Sequence, residues 1–273
     1  MTLFAPAAAQ PSLSTAVRHG AYLFLSMPAA ARQLAAAAQV PELAERLDLH
    51  NEFVGVREDE PRSIAYLRRT EVIPAGLSDE GISRADAMIH VAANAPEPVA
   101  AFCSSMHDLL SSAVQVHVLG GVVVPMYYTS RAMAEFAYAH RVLPRPASEM
   151  PNAFVVPLRK STAWWAKGWM ERHTYFLPRF DDDGHMLNQG HALAAEAGIP
   201  CLLRRTYRYP TEPAPEGAYD FVSYFECADA DVGTFYEVCA ALRDTARNPE
   251  WAYVQEGPTW HGRRVATWGE LFD

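Results

Sequence analysis

The apolar positions along the chain change period repeatedly, and each change marks an element. RHGAYLFLS (18–26) is apolar through its centre and predicts a strand. An alanine-rich stretch at 28–47 predicts a helix, with Pro28 near its first turn. Two short runs, EFVGVRE (52–58) and SIAYLRR (63–69), predict strands on either side of the turn formers DEPR. DAMIHVAA (86–93) predicts a strand, 97–113 a helix, VQVHVLGGVVV (114–124) a strand and MAEFAYAHRVL (133–143) a helix. The proline-rich stretch PRPASEMPN (144–152) follows and predicts a linker.

The second half repeats that order. AFVVPL (153–158) predicts a strand and STAWWAKGWMERHTYF (161–176) a helix that GHALAAEAG (190–198) continues or restarts. PCLLRRTYRY (200–209) and YDFVSYFE (219–226) predict strands. DVGTFYEVCAALRDT (231–245) predicts a helix with Phe235, Val238, Cys239 and Leu242 on one face, and WAYVQEG (251–257) a last strand. The order β-α-β-β-α-β is the ferredoxin-like unit. The expectation is therefore an α+β protein of two tandem ferredoxin-like units with antiparallel sheets. Residues 1–12 read as a disordered tail, 13–143 as a degenerate N-terminal domain, 144–152 as the linker and 153–273 as the C-terminal domain.

Composition narrows the partners. The 273 residues are half apolar and one-fifth charged, a normal globular balance, with a formal net charge of −9. That charge argues against nucleic-acid binding, which calls for a basic patch or stripe. No run of about eighteen apolar residues exists to span a membrane. The N-terminus lacks a basic segment followed by a long apolar one, so no signal peptide is read and the cytoplasm is the expected location. Cys103, Cys201, Cys227 and Cys239 form no CxxC pair. HExxH, GxSxG, GxGxxG and Walker A patterns are absent.

Of ten histidines, His191 differs from most in opening a run of small apolar residues, HALAAEAG. Small neighbours, Ala195 one turn on among them, allow a flat macrocycle to approach a helix, and a neutral imidazole suits iron in a porphyrin. A histidine beside alanines also reads as an ordinary helix terminus. In the strand that follows, Leu202, Arg204 and Thr206 share one side, and Cys201, Leu203, Arg205 and Tyr207 the other. One of the two arginines therefore faces inward, where it needs an anion, a ligand or a carboxylate partner.

VVPLRKSTAWWA, ER-x-x-x-F at 171–176, His191, PCLLRRTY, YDFVSYFE, F-x-x-x-x-x-x-LR at 235–243 and NPEWAYVQEGPTWHG, in that order, resemble the chlorite dismutase family of haem proteins. The resemblance covers roughly Ala153 to Arg264. It implies haem b as cofactor, with His191 as proximal iron ligand, Arg204 as the distal arginine and Glu250 as the acid that accepts a hydrogen bond from the imidazole. It also implies Trp164 and Trp165 near the haem edge, Lys160 near a propionate, and ring-like homo-oligomers, often five-fold.

Three departures stand out. The polar insert PRFDDDGHMLNQG lengthens the stretch before His191 and makes His185 a competitor for the iron. Val156 stands before Pro157, where coproheme decarboxylases of the family place a reactive tyrosine. Arg204 agrees with the chlorite dismutase pattern and departs from that of the decarboxylases. The implied activity is a haem-dependent oxidoreductase acting on chlorite, peroxide or a small organic substrate. The competing readings are a haem-binding or sensing protein without turnover, a non-haem metal enzyme using Asp181, Asp183, His185 and His191, and an inert oligomeric scaffold.

Overall fold

A computed structural model describes residues 17–54, 61–110, 114–123, 142 and 145–273. In the first half, β1 (Arg18–Ser26) leads through α1 (Arg32–Ala36) and α2 (Val40–Arg46) to β2 (His50–Asn51) and the long β3 (Arg62–Ile73). α3 (Glu80–Ser83), β4 (Ala87–Ala93), α4 (Pro96–Leu109) and β5 (Gln115–Val123) complete it. The second half runs β6 (Asn152–Lys160), α5 (Thr162–Trp165), α6 (Trp169–Thr174), β7 (Arg179–Phe180), β8 (Met186–Asn188) and α7 (Gly190–Ala194). β9 (Leu203–Arg208), β10 (Phe221–Cys227), α8 (Val232–Arg243), β11 (Val254–Glu256) and β12 (Thr259–Val265) follow.

Each half is ferredoxin-like: its sheet order is β5-β1-β4-β3 in the first and β12-β6-β10-β9 in the second, all antiparallel. The two sheets are not separate. β12 pairs with β3, and β5 meets β9 at Val122 and Arg208. Eight strands thereby close into one barrel, which removes the exposed edges of both sheets.

Closure divides the core in three. Inside the barrel lie Tyr22, Phe24, Tyr207, Tyr224 and Trp260. His90 is stacked between Tyr22 (4.7 Å between ring centroids) and Tyr224 (5.0 Å), with Nε2 2.9 Å from the Tyr207 hydroxyl. One end of the interior is ionic: Arg264 donates to Glu52 (2.6 Å) and Glu226 (3.4 Å), and Arg205 lies 3.7 Å from Glu52. Outside the barrel, α2 and α4 cover the first sheet, and α7 and α8 the second.

Several expectations shift. The helix over 28–47 is a 3-10 turn followed by α1 and α2, the latter restarting at Val40–Pro41. The helix over 161–176 breaks at Lys167–Gly168 into α5 and α6. Residues 52–54 form a 3-10 turn, because Glu52 must reach Arg264 inside the barrel; residues 55–60 lie outside the described ones. The last barrel strand is Thr259–Val265, beyond the predicted 251–257, which holds a 3-10 turn and the short β11. Its inward residue Arg264 is charged, so alternation of apolar residues did not reveal it. In the predicted linker, Ala147 and Met150 are buried. The tail at 1–12 and the helix over 133–143 lie outside the described residues, Val142 excepted.

Candidate functional site

The outward residues of β6 are Phe154, Val156, Leu158 and Lys160, since Ala153 and Val155 point into the barrel. The chain then turns at Ser161, whose hydroxyl caps α5 by accepting from Trp164 N (3.4 Å). This tight entry sets the Trp164 ring beside Lys160, with Nζ 4.2 Å from the ring centroid. Farther on, the carbonyls of Tyr175 and Phe176 accept from the backbone N–H groups of His191 (3.0 Å) and Ala192 (3.2 Å), satisfying donors at the start of α7. Gly190 makes that approach with φ +62°, and a Cβ there would collide with the Leu177 carbonyl. Glu250 comes from the 3-10 turn after α8, anchored by buried Asn248 donating to Leu242 O (2.9 Å).

These three segments converge on one carboxylate. Glu250 Oε2 lies 2.8 Å from His191 Nδ1, and Lys160 Nζ donates to Oε1. The Glu250 and Lys160 side chains are 6% and 5% exposed, and that of His191 is 22% exposed. Burial alone would raise the Glu250 pKa, but the charges of His191 and Lys160 and their hydrogen bonds outweigh it and hold it down at about 2. Burial lowers the Lys160 pKa, against the opposing pull of Glu250. An ionised carboxylate only accepts, so Nδ1 carries the proton. With Nδ1 so committed, Nε2 is the ring nitrogen left for a ligand, and it makes no hydrogen bond among the described residues.

The sheet beside this triad has an outward row of Phe221, Ser223 and Phe225 on β10, all half-buried. Paired with them on β9 are Arg208, Thr206 and Arg204. Trp165 stacks on Phe221 (6.3 Å, 20°), and the Arg172 guanidinium lies 5.2 Å from the Trp165 ring. Trp165 Nε1 is buried without a hydrogen-bond partner among the described residues. Arg204 is exposed on this outward face, and Arg205 turns into the barrel toward Glu52. The inward arginine is therefore Arg205, with carboxylates as its partners.

His191, Glu250, Lys160 and Trp164 are thus brought together, while Trp165 and Arg204 stand on the adjoining sheet face. Lys160, expected near a propionate, has its ammonium buried behind the imidazole, on Glu250. The insert forms the β7–β8 hairpin, tied at its foot by Arg247 donating to Gln189 (2.8 Å). There Asp181, Asp183 and His185 place ligand-type atoms within 4.8 Å of one another at the surface, and His191 is not among them. Sequence reasoning did not anticipate Tyr175 and Tyr253, whose hydroxyls lie 3.2 Å apart beside Trp164. Their spacing of 78 residues gives no local signal.

The chain is similar to the chlorite dismutase of Candidatus Nitrospira defluvii, at 20% identity over 95% of both chains with a TM-score of 0.65. Variant and parent structures of that protein include complexes with cyanide and with imidazole. A protein provisionally called a chlorite dismutase is similar at 10% identity, covering 94% of this chain and 97% of its own, with a TM-score of 0.58. No family model and no curated protein sequence matches the chain. The chain has the chlorite dismutase fold, as its sequence resemblance implies.

Proposed function

We propose that the protein is a haem-dependent oxidoreductase of the chlorite dismutase type, holding haem b through His191. The observation that carries this reading is an imidazole whose Nδ1 is locked to a buried, ionised carboxylate while Nε2 is uncommitted. Such a partner fixes the tautomer, orients the ring and strengthens it as a ligand. Bound haem would supply the iron-centred redox chemistry.

The chain's own residues do the rest. Lys160 neutralises Glu250 from behind, so the carboxylate stays ionised despite its burial. Trp164 shields that ion pair, and Trp165 stacked on Phe221 offers an apolar surface for a flat ring. Arg204, permanently cationic and exposed on the same outward face, binds and orients a small anionic or oxygen-rich substrate. Chlorite fits that charge; peroxide or a small organic acid fits next. Val156 stands at the position where a decarboxylase tyrosine is expected, so that activity is disfavoured. A non-haem site built on the insert is weaker, since His191 turns to Glu250 and away from Asp181, Asp183 and His185.

The test is an absorption spectrum of the purified protein after haem addition, for wild type, His191→Ala and His185→Ala. A sharp Soret band lost only in His191→Ala is expected. Wild type indistinguishable from haem in buffer overturns the reading.

A further inference from the structure

Asp220 lies just before β10 and is buried. A buried carboxylate is costly unless donors or charges satisfy it. Its partners are two backbone N–H groups: Oδ2 accepts from Lys160 (2.7 Å) and Oδ1 from Ala214 (2.8 Å).

The strand register shows why a side chain is used there. β6 and β10 pair from Asn152 with Cys227 as far as Leu158 with Phe221. That ladder ends two residues before Lys160, and the Asp220 carboxylate supplies the acceptor that β10 no longer offers. On its other side Lys160 pairs with Val254 of β11, and Ser161 N donates to Tyr253 O (2.9 Å). Those contacts tie it to the 3-10 turn that carries Glu250. The Lys160 backbone is therefore clamped from both sides, and its ammonium ends on Glu250 beside Trp164.

A carboxylate also brings a full charge, which a backbone carbonyl does not. Burial lowers the Lys160 pKa, Glu250 opposes that, and Asp220 adds to the opposition. The ammonium thus sits in the field of two carboxylates, one at its tip and one at its own backbone. The segment carrying Asp220 is held independently. Arg159 Nε donates to Ala218 O (2.9 Å), and the Tyr219 hydroxyl donates to Asp79 Oδ2 (3.2 Å).

We infer that Asp220 is a positioning residue: it holds Lys160 on Glu250 and, through that ion pair, sets how strongly Glu250 accepts from His191 Nδ1. The bearing of this on an iron ligand rests on the haem reading of His191. Asparagine is a poor substitute, because its one carbonyl oxygen serves one N–H group and its amide nitrogen turns a donor toward the other.

The test is the His191 ring in the isotope-labelled, haem-free protein, followed by its nitrogen and Nδ1-proton NMR resonances at one fixed pH. Asp220→Asn should move them in the same direction as Lys160→Met and no farther. Added to Lys160→Met it should move them no more, because its effect runs through the lysine. Tyr219→Phe removes the bond to Asp79 but leaves the Asp220 carboxylate in place, so it should leave the resonances at their wild-type positions. In the haem-loaded protein the iron–imidazole stretching band should follow the same pattern. Resonances that Asp220→Asn leaves unmoved overturn the proposal. So does an equal shift in Tyr219→Phe, or a shift that persists in full in the Lys160→Met background. If Asp220→Asn does not fold, Asp220→Glu carries the test, since it keeps the charge and both acceptors on a longer arm. A smaller shift of the same sense is then expected, and none overturns the proposal. A protein that takes up no haem overturns the haem reading alone, because the haem-free resonances still decide the role of Asp220.

Discussion

The two halves of the barrel share one strand order, yet their outer faces are finished differently. In the first half the third strand, β4, is buried at every residue. The fourteen-residue α4 seals that side, with Phe102 and Met106 fully buried beneath it. In the second half the equivalent strand, β10, alternates. Val222, Tyr224 and Glu226 are buried in the barrel, while Phe221, Ser223 and Phe225 stay half-buried outside. The helices beside it, α5, α6 and α7, have four to six residues each, and only α8 is long. The same topology makes a closed core where a long amphipathic helix lies on the sheet. Where the helices are short it leaves the sheet less covered, and there α7 brings His191 to Glu250 and to Lys160 at the end of β6.

The largest expected effect comes from the closed face. Phe102→Ala should cost ~4 kcal/mol of stability in denaturant unfolding, because it opens a cavity in a filled core. Phe221→Ala on the open face should cost about 1 kcal/mol or less. Equal costs would break the comparison. Next is the ion pair beneath His191. Glu250→Leu leaves the Lys160 ammonium buried and unpaired and should cost ~3 kcal/mol. The double variant Glu250→Leu with Lys160→Met should recover most of that loss, since neither charge is then stranded.

Acid titration separates the barrel interior from the outer site. His90, stacked between two tyrosines, is held by burial at about 3, below its ordinary 6.5. The unfolded chain takes up that proton first, so the stability from neutral His90 is complete above pH 6.5 and is lost as pH falls toward 3. Glu250 is held at about 2, below its ordinary 4.5. Its contribution is complete above pH 4.5 and is lost between there and 2. His90→Phe should flatten the stability curve from pH 6.5 downward and leave the Glu250 window in place, as followed by chemical denaturation at each pH. The smallest effect is expected at the open row, where Ser223→Ala should change stability by ~0.5 kcal/mol or less.

Much of this architecture is legible in the residues. The apolar periods of 18–26, 86–93 and 153–158 mark β1, β4 and the first part of β6, and the repeated β-α-β-β-α-β order predicts both sheet orders. His191, Glu250 and Lys160 are readable as candidates from their order in the resemblance, which also implies the hydrogen bond between His191 and Glu250 but not the contact of Lys160 with Glu250. Lys160 shows why. A lysine near a predicted cofactor reads as a surface partner for an anion, but its depth depends on Trp164 lying over it and Glu250 arriving from 90 residues away. β12 was missed for a related reason: Arg264 looks like a solvent-facing residue until Glu52 and Glu226 meet it inside the barrel.

Local pattern, then, settles which segments become strands and helices and which residues could bear chemistry, because period and capping act over a few neighbours. It also settles that Arg204 and Arg205 face opposite ways. Which of them enters the barrel, which partner each charge finds, and that two sheets become one closed barrel are decided only when distant strands meet. Barrel closure and the burial of charge are long-range events, set by pairings such as β3 with β12 that no local stretch of sequence contains.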